Sequence, residues 1–323
     1  MKTALTEMLN CQWPIIGAPM FIVGTVDMVA AISNAGGVGT IPSLNFRSTE
    51  LLDQGLSEMN LKTTKTFGIN LIVHKSNTRW EADLDVCAQH KVPFFITSLG
   101  SPVRVIERVK PYGAKVFCDV TNIKHAKKAL DGGADGIIAV CAGAGGHAGP
   151  HSPFSLVSEL QQLTDKPIVI AGAIASGKTI LASLALGAAG VSIGTRFIAT
   201  TEANASPEYK QAILNAKTEN IHKSVKMTGI PASVIRTPEV EAMFKPPTFM
   251  EKLIYVIEKK NQGKTNFSKK LRKVSGYNWS WNSVWSAGES VGQIHDIKSC
   301  AEVVKDLTHE LKTAYGELKK TEA

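Results

Sequence analysis

The segment that decides the interpretation of this chain is 136–149, which reads GIIAVCAGAGGHAG. Its first seven residues form an apolar run that predicts a buried strand. A glycine-rich loop containing His147 follows, and Ser152 with Pro153 then opens a helical pattern. Glycine lets backbone N–H groups approach a ligand, and a histidine in such a loop can transfer protons near neutral pH. The segment predicts a strand–loop–helix unit with a binding loop; the alternative is a plain turn with a solvated histidine.

The same alternation of strand and helix recurs along the first 195 residues. Apolar runs typical of strands buried on both faces occupy 14–20, 38–42, 67–73, 94–99, 115–120, 136–142, 167–172 and 190–195. Helical patterns lie between them, for example at 26–35, 49–59, 102–110, 123–130, 153–163 and 177–186. Eight such units predict an α/β protein with a closed (β/α)₈ TIM barrel. A doubly wound open sheet is the alternative, but 21–25 lacks the glycine pattern of a dinucleotide site.

Three of the predicted helices end in glycine-containing turns. These turns, 34–37, 131–134 and 186–189, read NAGG, DGGA and LGAA, and each stands just before a predicted strand. Glycine after a helix adopts the left-handed conformation that ends it. The turns therefore support the repeated return of the chain from helix to strand.

The repeat stops after about residue 205. Helical patterns at 207–216 and 248–258, joined by a proline-containing stretch at 229–247, predict a small inserted helical subdomain at 206–275. The barrel would then comprise 1–205 and 276–323. The second part contains Trp279, Trp281 and Trp285, followed by an amphipathic pattern at 299–311 that predicts a closing helix. We expect the lysine-rich tail beyond it to fray.

Composition limits the class of protein. The chain has 323 residues, of which 44% are hydrophobic and 20% charged, as in ordinary globular proteins. No apolar run reaches the roughly 18 residues of a membrane span, the start of the chain lacks a signal-peptide pattern, and the five cysteines are scattered. We therefore expect a cytoplasmic protein with no membrane partner, disulfide framework or metal site.

The net charge of +8 is concentrated in the basic segment 245–273. Attraction of an acidic partner, such as a nucleic acid or a carrier protein, is one interpretation. Only Phe249, Tyr255 and Phe267 stand among the lysines, fewer aromatic residues than a base-stacking platform would need, so a solvated helical face is favoured. We expect no nucleic-acid partner.

Ligands bind at the carboxyl ends of the strands in a (β/α)₈ barrel. Loops after the seventh and eighth strands commonly hold phosphate on backbone N–H groups, and the small residues there fit that use: Gly172, Ala173, Gly194 and Thr195. Asn70 ends an apolar strand, where its amide needs a hydrogen-bond partner. A heterocycle such as a flavin would satisfy it, and so would a backbone group. His147 is the preferred acid–base candidate, ahead of His151 in the same loop.

These residues carry a resemblance to a known family. Five segments in order, 14–20 (PIIGAPM), 34–37 (NAGG), 67–70 (FGIN), 144–149 (AGGHAG) and 193–197 (IGTRF), resemble the nitronate monooxygenases, formerly called 2-nitropropane dioxygenases. The related flavin-dependent enoyl-acyl-carrier-protein reductases share much of the pattern. The resemblance covers the chain to about residue 205, and 285–288 (WSAG) is similar to the family's C-terminal return to the active site.

The resemblance implies flavin mononucleotide (FMN) bound at the barrel mouth. It implies cofactor contacts from Ala18, Pro19, Met20, Asn70, Asp119, Gly146, Gly172, Ala173, Gly194 and Thr195. It makes His147 the catalytic residue, acting as base for neutral nitroalkanes and orienting nitronates. Some members carry a lysine where Asp119 stands, and a carboxylate there would disfavour an anionic reduced flavin by like-charge repulsion.

The function expected from these features is that of an FMN-dependent nitronate monooxygenase. Such an enzyme oxidises alkyl nitronates, or nitroalkanes, with O₂ to a carbonyl compound and nitrite. The first alternative is an NAD(P)H-dependent flavin reductase of enoyl thioesters or quinones, and the second is a barrel that binds a phosphorylated metabolite without catalysis. The sequence leaves the physiological substrate and the oligomeric state open, a homo-oligomer included.

Overall fold

A computed structural model of the chain describes residues 1–225, 231–238, 240–241 and 284–320. Eight parallel strands form a closed barrel: β1 (Ile15–Gly17), β2 (Val38–Pro42), β3 (Phe67–Ile72), β4 (Phe94–Ser98), β5 (Lys115–Val120), β6 (Gly136–Val140), β8 (Ile168–Ala171) and β9 (Gly190–Ile193). Pairing of β9 with β1 closes the ring. A two-residue strand, β7 (Gly146–His147), lies outside it. The predicted (β/α)₈ barrel is confirmed.

Helices connect the strands and extend the chain at both ends. They are α1 (Ala4–Leu9), α2 (Val26–Asn34), α3 (Thr49–Lys62), α4 (Trp80–Gln89), α5 (Val103–Val109), α6 (Ile123–Asp131), α7 (Pro153–Leu163), α8 (Gly177–Ala185), α9 (Thr195–Ile198), α10 (Pro207–Asn215) and α11 (Cys300–Lys320). Side chains such as Ser48 and Asn122 cap their N-termini by accepting backbone N–H bonds. Gly36, Gly133 and Gly187 have φ of 95°, 90° and 92°, so the predicted left-handed exits are confirmed.

Large apolar side chains fill the barrel interior. The cluster comprises Leu5, Leu9, Ile16, Val38, Phe94, Ile96, Phe117, Ile138 and Val169. The rings of Phe94 and Phe117 meet edge to face, with centroids 5.3 Å apart. Leu5 and Leu9 belong to α1, so this helix covers the amino ends of the strands. The barrel interior is therefore closed at the amino ends, which leaves the carboxyl ends as its open side.

The C-terminal helix α11 packs across α8 and α2. A side chain on Gly177, the first residue of α8, would clash with the backbone of Leu311, and the Gly177 N–H donates to Glu310 Oε2 at 2.7 Å. The expectation that the tail frays beyond the closing helix is wrong as far as Lys320. Ala314 is buried three residues past the predicted end at Leu311, which extends the apolar face of the helix.

Part of the predicted helical subdomain consists of strands. After α10, β10 (Ile221–Ser224) pairs antiparallel with β11 (Ala232–Ile235), and β11 pairs with β7. The sequence did not predict these strands, and the subdomain's limits at 206 and 275 stay a prediction. The predicted helix 248–258, the basic segment 245–273, Trp279 and Trp281 lie outside the described residues. Within the described ranges, no helix has the length and apolar character needed to cross a bilayer.

Candidate functional site

Three polar side chains lie at the carboxyl ends of adjacent strands on the inner face of the barrel. Residues two positions apart in a strand face the same side. Ser98 therefore faces inward like the core residue Ile96, and Asp119 faces inward like the core residue Phe117. Asn70 on β3 follows the same rule, because the residues that flank it in sequence pack outward against the helices. Asn70, Ser98 and Asp119 therefore meet above the core, at the mouth.

Hydrogen bonds join these three side chains into one chain, the Asn70–Ser98–Asp119 chain. Asn70 Nδ2 donates to Ser98 Oγ at 2.8 Å and to the Ile96 carbonyl oxygen at 3.1 Å. The Ser98 hydroxyl donates to Asp119 Oδ2 at 2.6 Å. Burial raises the pKa of Asp119 to about 6, although the bond from Ser98 acts in the opposite direction. Asp119 is therefore a carboxyl group that changes its charge slightly below neutral pH.

The residues predicted to hold phosphate lie on the other side of the mouth. Strands β8 and β9 are hydrogen-bonded neighbours, so Gly172 and Gly194 stand at adjacent strand ends. Gly172 has φ 133°, and a Cβ on it would lie 2.9 Å from the Ala142 carbonyl oxygen. Ala173 adopts φ 55°, an uncommon conformation for a residue other than glycine. The backbone here takes conformations that residues with a side chain rarely adopt, and the backbone of 141–144 already occupies the space where a Cβ on Gly172 would lie.

The end of β1 joins this side of the mouth. A Cβ on Gly194 would lie 3.6 Å from Ala18 Cβ and 3.8 Å from Met20 Sδ. Pro19 lies between these two residues and is partly exposed. The structure therefore brings Ala18, Met20 and Gly194 together at the mouth, opposite the ends of β3 and β5, whereas the predicted contact Gly146 lies on β7 outside the barrel.

A segment from the C-terminal part of the chain, 285–289, packs against the glycine loop. The Glu289 N–H and the Ala173 N–H both donate to the Gly143 carbonyl oxygen, at 2.9 and 3.2 Å. The Gly288 N–H donates to Thr195 Oγ1 at 2.9 Å. Thr195 donates no hydrogen bond within the described part of the chain, so its O–H is available to a ligand. The segment 285–289 thus completes one wall of the mouth.

Aromatic stacking holds that segment in place. The rings of Trp285 and Tyr209 stack with centroids 5.4 Å apart, and the Tyr209 hydroxyl donates to the Ser286 carbonyl oxygen. Burial raises the pKa of Tyr209, so the hydroxyl keeps its proton. Tyr209 in α10 was not predicted as a site residue, because its role comes from a contact with residues about 76 positions away in the chain.

His147 lies on β7, opposite Ala232 of β11. Its neighbour Gly146 has φ 63°. The imidazole lines a cleft of about 630 Å³ together with Leu44, Ile72, His74, Ser76, Asn77, Thr78, Arg79 and Leu99. The side chain is exposed to this cleft, yet partial burial by protein lowers its pKa from 6.5, so the imidazole is neutral at pH 7. His147 therefore faces the loops after β2, β3 and β4 rather than the Gly172 side.

Arg79 positions one wall of that cleft. Its Nε donates to Asp83 Oδ2 at 3.1 Å, and its guanidinium also donates to the carbonyl oxygens of Ser43 and Phe46. The sequence offered only the i,i+4 spacing of Arg79 and Asp83 as a hint of this contact. Ser98 stands at a strand end where ligands were expected to bind, but it was not among the predicted cofactor contacts. In the described ranges, no group of three or more His, Cys, Asp or Glu side chains is arranged to hold a metal ion.

Comparison with known proteins defines the class. The family model described as nitronate monooxygenase matches residues 2–83 and 76–310. The structure of FabK from Thermotoga maritima is similar, with a TM-score of 0.82, 30% identity and coverage of 99% of each chain. The nitroalkane oxidase from Streptomyces ansochromogenes shares the fold, with a TM-score of 0.78 at 23% identity over 98% of this chain and 100% of that one.

Two curated relatives add to the comparison. The (3aS,4S,5R,7aS)-5-hydroxy-7a-methyl-1-oxo-octahydro-1H-indene-4-carboxyl-CoA dehydrogenase of Rhodococcus jostii (strain RHA1) is 32% identical over 75% of this chain and 68% of its own. A probable nitronate monooxygenase of Staphylococcus aureus (strain JH9) is 28% identical over 75% of this chain and 80% of its own. The barrel and these relatives define a flavin-dependent oxidoreductase. The chain belongs to the nitronate monooxygenase family, so the resemblance read from the sequence is confirmed.

Proposed function

We propose that the barrel mouth binds FMN, with the phosphate on the Gly172–Thr195 side. Three features of the site support this. Gly172, Ala173 and Gly194 place no large side chain at the ends of β8 and β9, and the backbone at Gly172 and Ala173 has positive φ. The Thr195 hydroxyl has a proton to donate. On the opposite side, Asn70 donates through Nδ2 to two protein atoms, which leaves its Oδ1 as an acceptor suited to an N–H of a heterocycle.

We further propose that the protein oxidises alkyl nitronates with O₂ to a carbonyl compound and nitrite. The flavin, when bound, supplies the electron transfer between substrate and O₂. The observation that carries the proposal is His147, whose imidazole lines the cleft beside the mouth and whose lowered pKa keeps it neutral. A neutral imidazole can remove the α-proton of a nitroalkane or accept a hydrogen bond from a bound substrate.

The test of this role compares two forms of one substrate. His147→Ala should retain FMN and lose turnover of the neutral nitroalkane far more than turnover of the nitronate, because only the first needs a base. General base catalysis contributes about 10²- to 10⁴-fold, which sets the size of the loss. His151→Ala is the matched control from the same loop, since the His151 side chain is exposed, and it should change neither rate. Equal turnover of both forms by His147→Ala would remove His147 from the mechanism.

The second candidate is a flavin-dependent dehydrogenase or NAD(P)H-dependent reductase of acyl thioesters. It is favoured by the 32% identity to a CoA-thioester dehydrogenase and the 30% identity to FabK across 99% of the chain. In such a reaction His147 would exchange the proton α to the thioester carbonyl.

Anaerobic stopped-flow mixing separates the two candidates. A nitronate should bleach the flavin absorbance of the first kind of enzyme, whereas NADH and NADPH should not. Rapid bleaching by NADPH, or by a saturated acyl-CoA, with none by the nitronate would assign the second function instead. A protein that takes up no added FMN would contradict both.

A further inference from the structure

We propose that Asp119 binds a proton from solvent when the bound flavin is reduced, and that Ser98 is the positioning residue that couples Asp119 to Asn70. The inference rests on the proposed flavin site. It concerns residues on the side of the mouth opposite Gly172 and Gly194. Its basis is the geometry of the Asn70–Ser98–Asp119 chain.

The orientation of the Asn70 amide is fixed by its partners. Both hydrogens on Nδ2 are used, one by Ser98 Oγ and one by the Ile96 carbonyl oxygen. A carbonyl oxygen only accepts hydrogen bonds, so a flipped amide would bring two acceptors together. The Asn70 Oδ1 atom receives no hydrogen bond from any described residue. Asn70 therefore presents an acceptor, and only an acceptor, to a ligand in the mouth.

Ser98 links this acceptor to a group that changes charge. A serine has one O–H, and here it points to Asp119 Oδ2 at 2.6 Å, which leaves Ser98 Oγ to accept from Asn70. Bonds to an ionised carboxylate are about twice as strong as neutral ones. When Asp119 takes a proton, the Ser98 hydroxyl is held less firmly, and so is the amide of Asn70.

The carboxylate of Asp119 has no cation to compensate it among the described residues. The neighbour across the ladder on β6 is Ile138, and the neighbour on β4 is Ser98. The adjacent Cys118 faces the other side of β5 and contacts Thr97. His125 in α6 is hydrogen-bonded to the loop that follows β5, and it does not shift the pKa of Asp119. Burial alone raises that pKa, to about 6.

An uncompensated carboxylate beside a group that gains electrons is a site of proton uptake. A flavin held in the mouth would supply two-electron redox chemistry, and its reduction with uptake of a single proton on the ring would leave one added negative charge there. That negative charge raises the pKa of Asp119 further, so a second proton from solvent binds the carboxylate. Two electrons and two protons then enter together, and the net charge of the mouth is unchanged.

The experiment measures the midpoint potential of the FMN-loaded protein by spectroelectrochemistry from pH 5 to 9. The comparison is with Asp119→Asn, which keeps the shape of the protonated carboxyl and cannot take up the proton. The midpoint potentials of the two proteins should diverge above about pH 6. One extra proton changes the ratio of reduced to oxidised flavin tenfold per pH unit, which is about 30 mV per pH unit for a two-electron couple. Asp85→Asn, which removes an exposed carboxylate on α4, is the matched control and should follow the wild type.

Ser98→Ala distinguishes coupling from a merely structural effect. The hydrogen bond from Ser98 lowers the pKa of Asp119, so its loss should move the start of the steep region to higher pH. The same change is measurable without flavin, as the titration of the Asp119 carboxyl carbon by NMR in the apo-protein. The wild-type midpoint should lie near pH 6, and the Ser98→Ala midpoint should be higher.

Each outcome bears on one proposal or both. Identical potential profiles for wild type and Asp119→Asn, in proteins that bind FMN, would overturn the inference and leave the proposed function standing. A titration of Asp119 near pH 4 in the apo-protein would also overturn the inference alone. Failure of the wild-type protein to bind FMN would overturn both.

Discussion

Asp119→Asn should stabilise the apo-protein, and the structure gives the size of the effect. The pKa of this carboxyl is about 6 in the folded protein, against 3.8 for an exposed aspartate. At about 1.4 kcal/mol for each pKa unit, ionising it in the folded state costs about 3 kcal/mol. Because asparagine has nearly the same shape and no charge, the substitution removes that cost.

The sign and the pH window follow from proton linkage. Between pH 3.8 and 6 the folded state binds more protons at Asp119 than the unfolded state, so wild-type stability falls as pH rises through this range. The advantage of Asp119→Asn should therefore grow from about 1.6 kcal/mol at pH 5 to about 3 kcal/mol at pH 8. Above pH 8 it should stay constant, since the carboxyl is then ionised in both states.

Urea unfolding of the apo-proteins, followed by tryptophan fluorescence at pH 5 and pH 8, measures this. Asp85→Asn removes an exposed carboxylate that contacts Arg108, and it should change the free energy of unfolding by less than about 1 kcal/mol at either pH. If Asp119→Asn is no more stable than the wild type at pH 8, or if its advantage is the same at both pH values, the described environment of Asp119 is wrong.

Three further substitutions test the architecture of the mouth and its support. Gly172→Ala places a Cβ 2.9 Å from a carbonyl oxygen at φ 133°, so the Kd for FMN in a fluorescence titration should rise at least about tenfold. The control is Gly113→Ala, at φ 85° in open space, which should cost about 1 kcal/mol of stability and leave that Kd unchanged. Thr195→Val leaves the Gly288 N–H without its acceptor, and amide exchange in 285–289 should speed up by the equivalent of about 1–3 kcal/mol, with protection of β3 as the unchanged reference. Gly177→Ala should lower the Tm because its Cβ clashes with α11. Gly316→Ala, in open space on α11, is the control and should raise stability by about 1 kcal/mol. A Tm unchanged by Gly177→Ala would contradict the packing of α8 on α11.

The barrel could be predicted because the sequence patterns that indicate its strands and helix ends are local. Each strand is a short apolar run, and three helix exits carry a glycine whose left-handed φ the structure confirms. The first run, 14–20, is longer than β1 (Ile15–Gly17), since the chain leaves the strand after Ala18, whose N–H still donates to the Ile193 carbonyl oxygen. The end of α11 was misjudged for a related reason. Its lysines read as a tail, whereas Ala314 keeps the apolar stripe in contact with the barrel.

The site could be predicted less completely from the sequence, because its arrangement depends on contacts between distant parts of the chain. A serine at the end of a strand is unremarkable, and Ser98 matters only because the register of β3, β4 and β5 places it between an amide and a carboxyl. The setting of His147 likewise depends on β11, which lies some 85 residues further along the chain. No local sequence pattern near 146–147 indicates the pairing of β7 with β11.

The helix α1 has a kinetic consequence. Its leucines close the amino end of the barrel, so polar molecules can enter and leave only where the strands finish. A donor and an acceptor of electrons that both need the same face of the cofactor must then use one passage in turn. A large side chain introduced beside that passage should therefore slow the entry of both molecules.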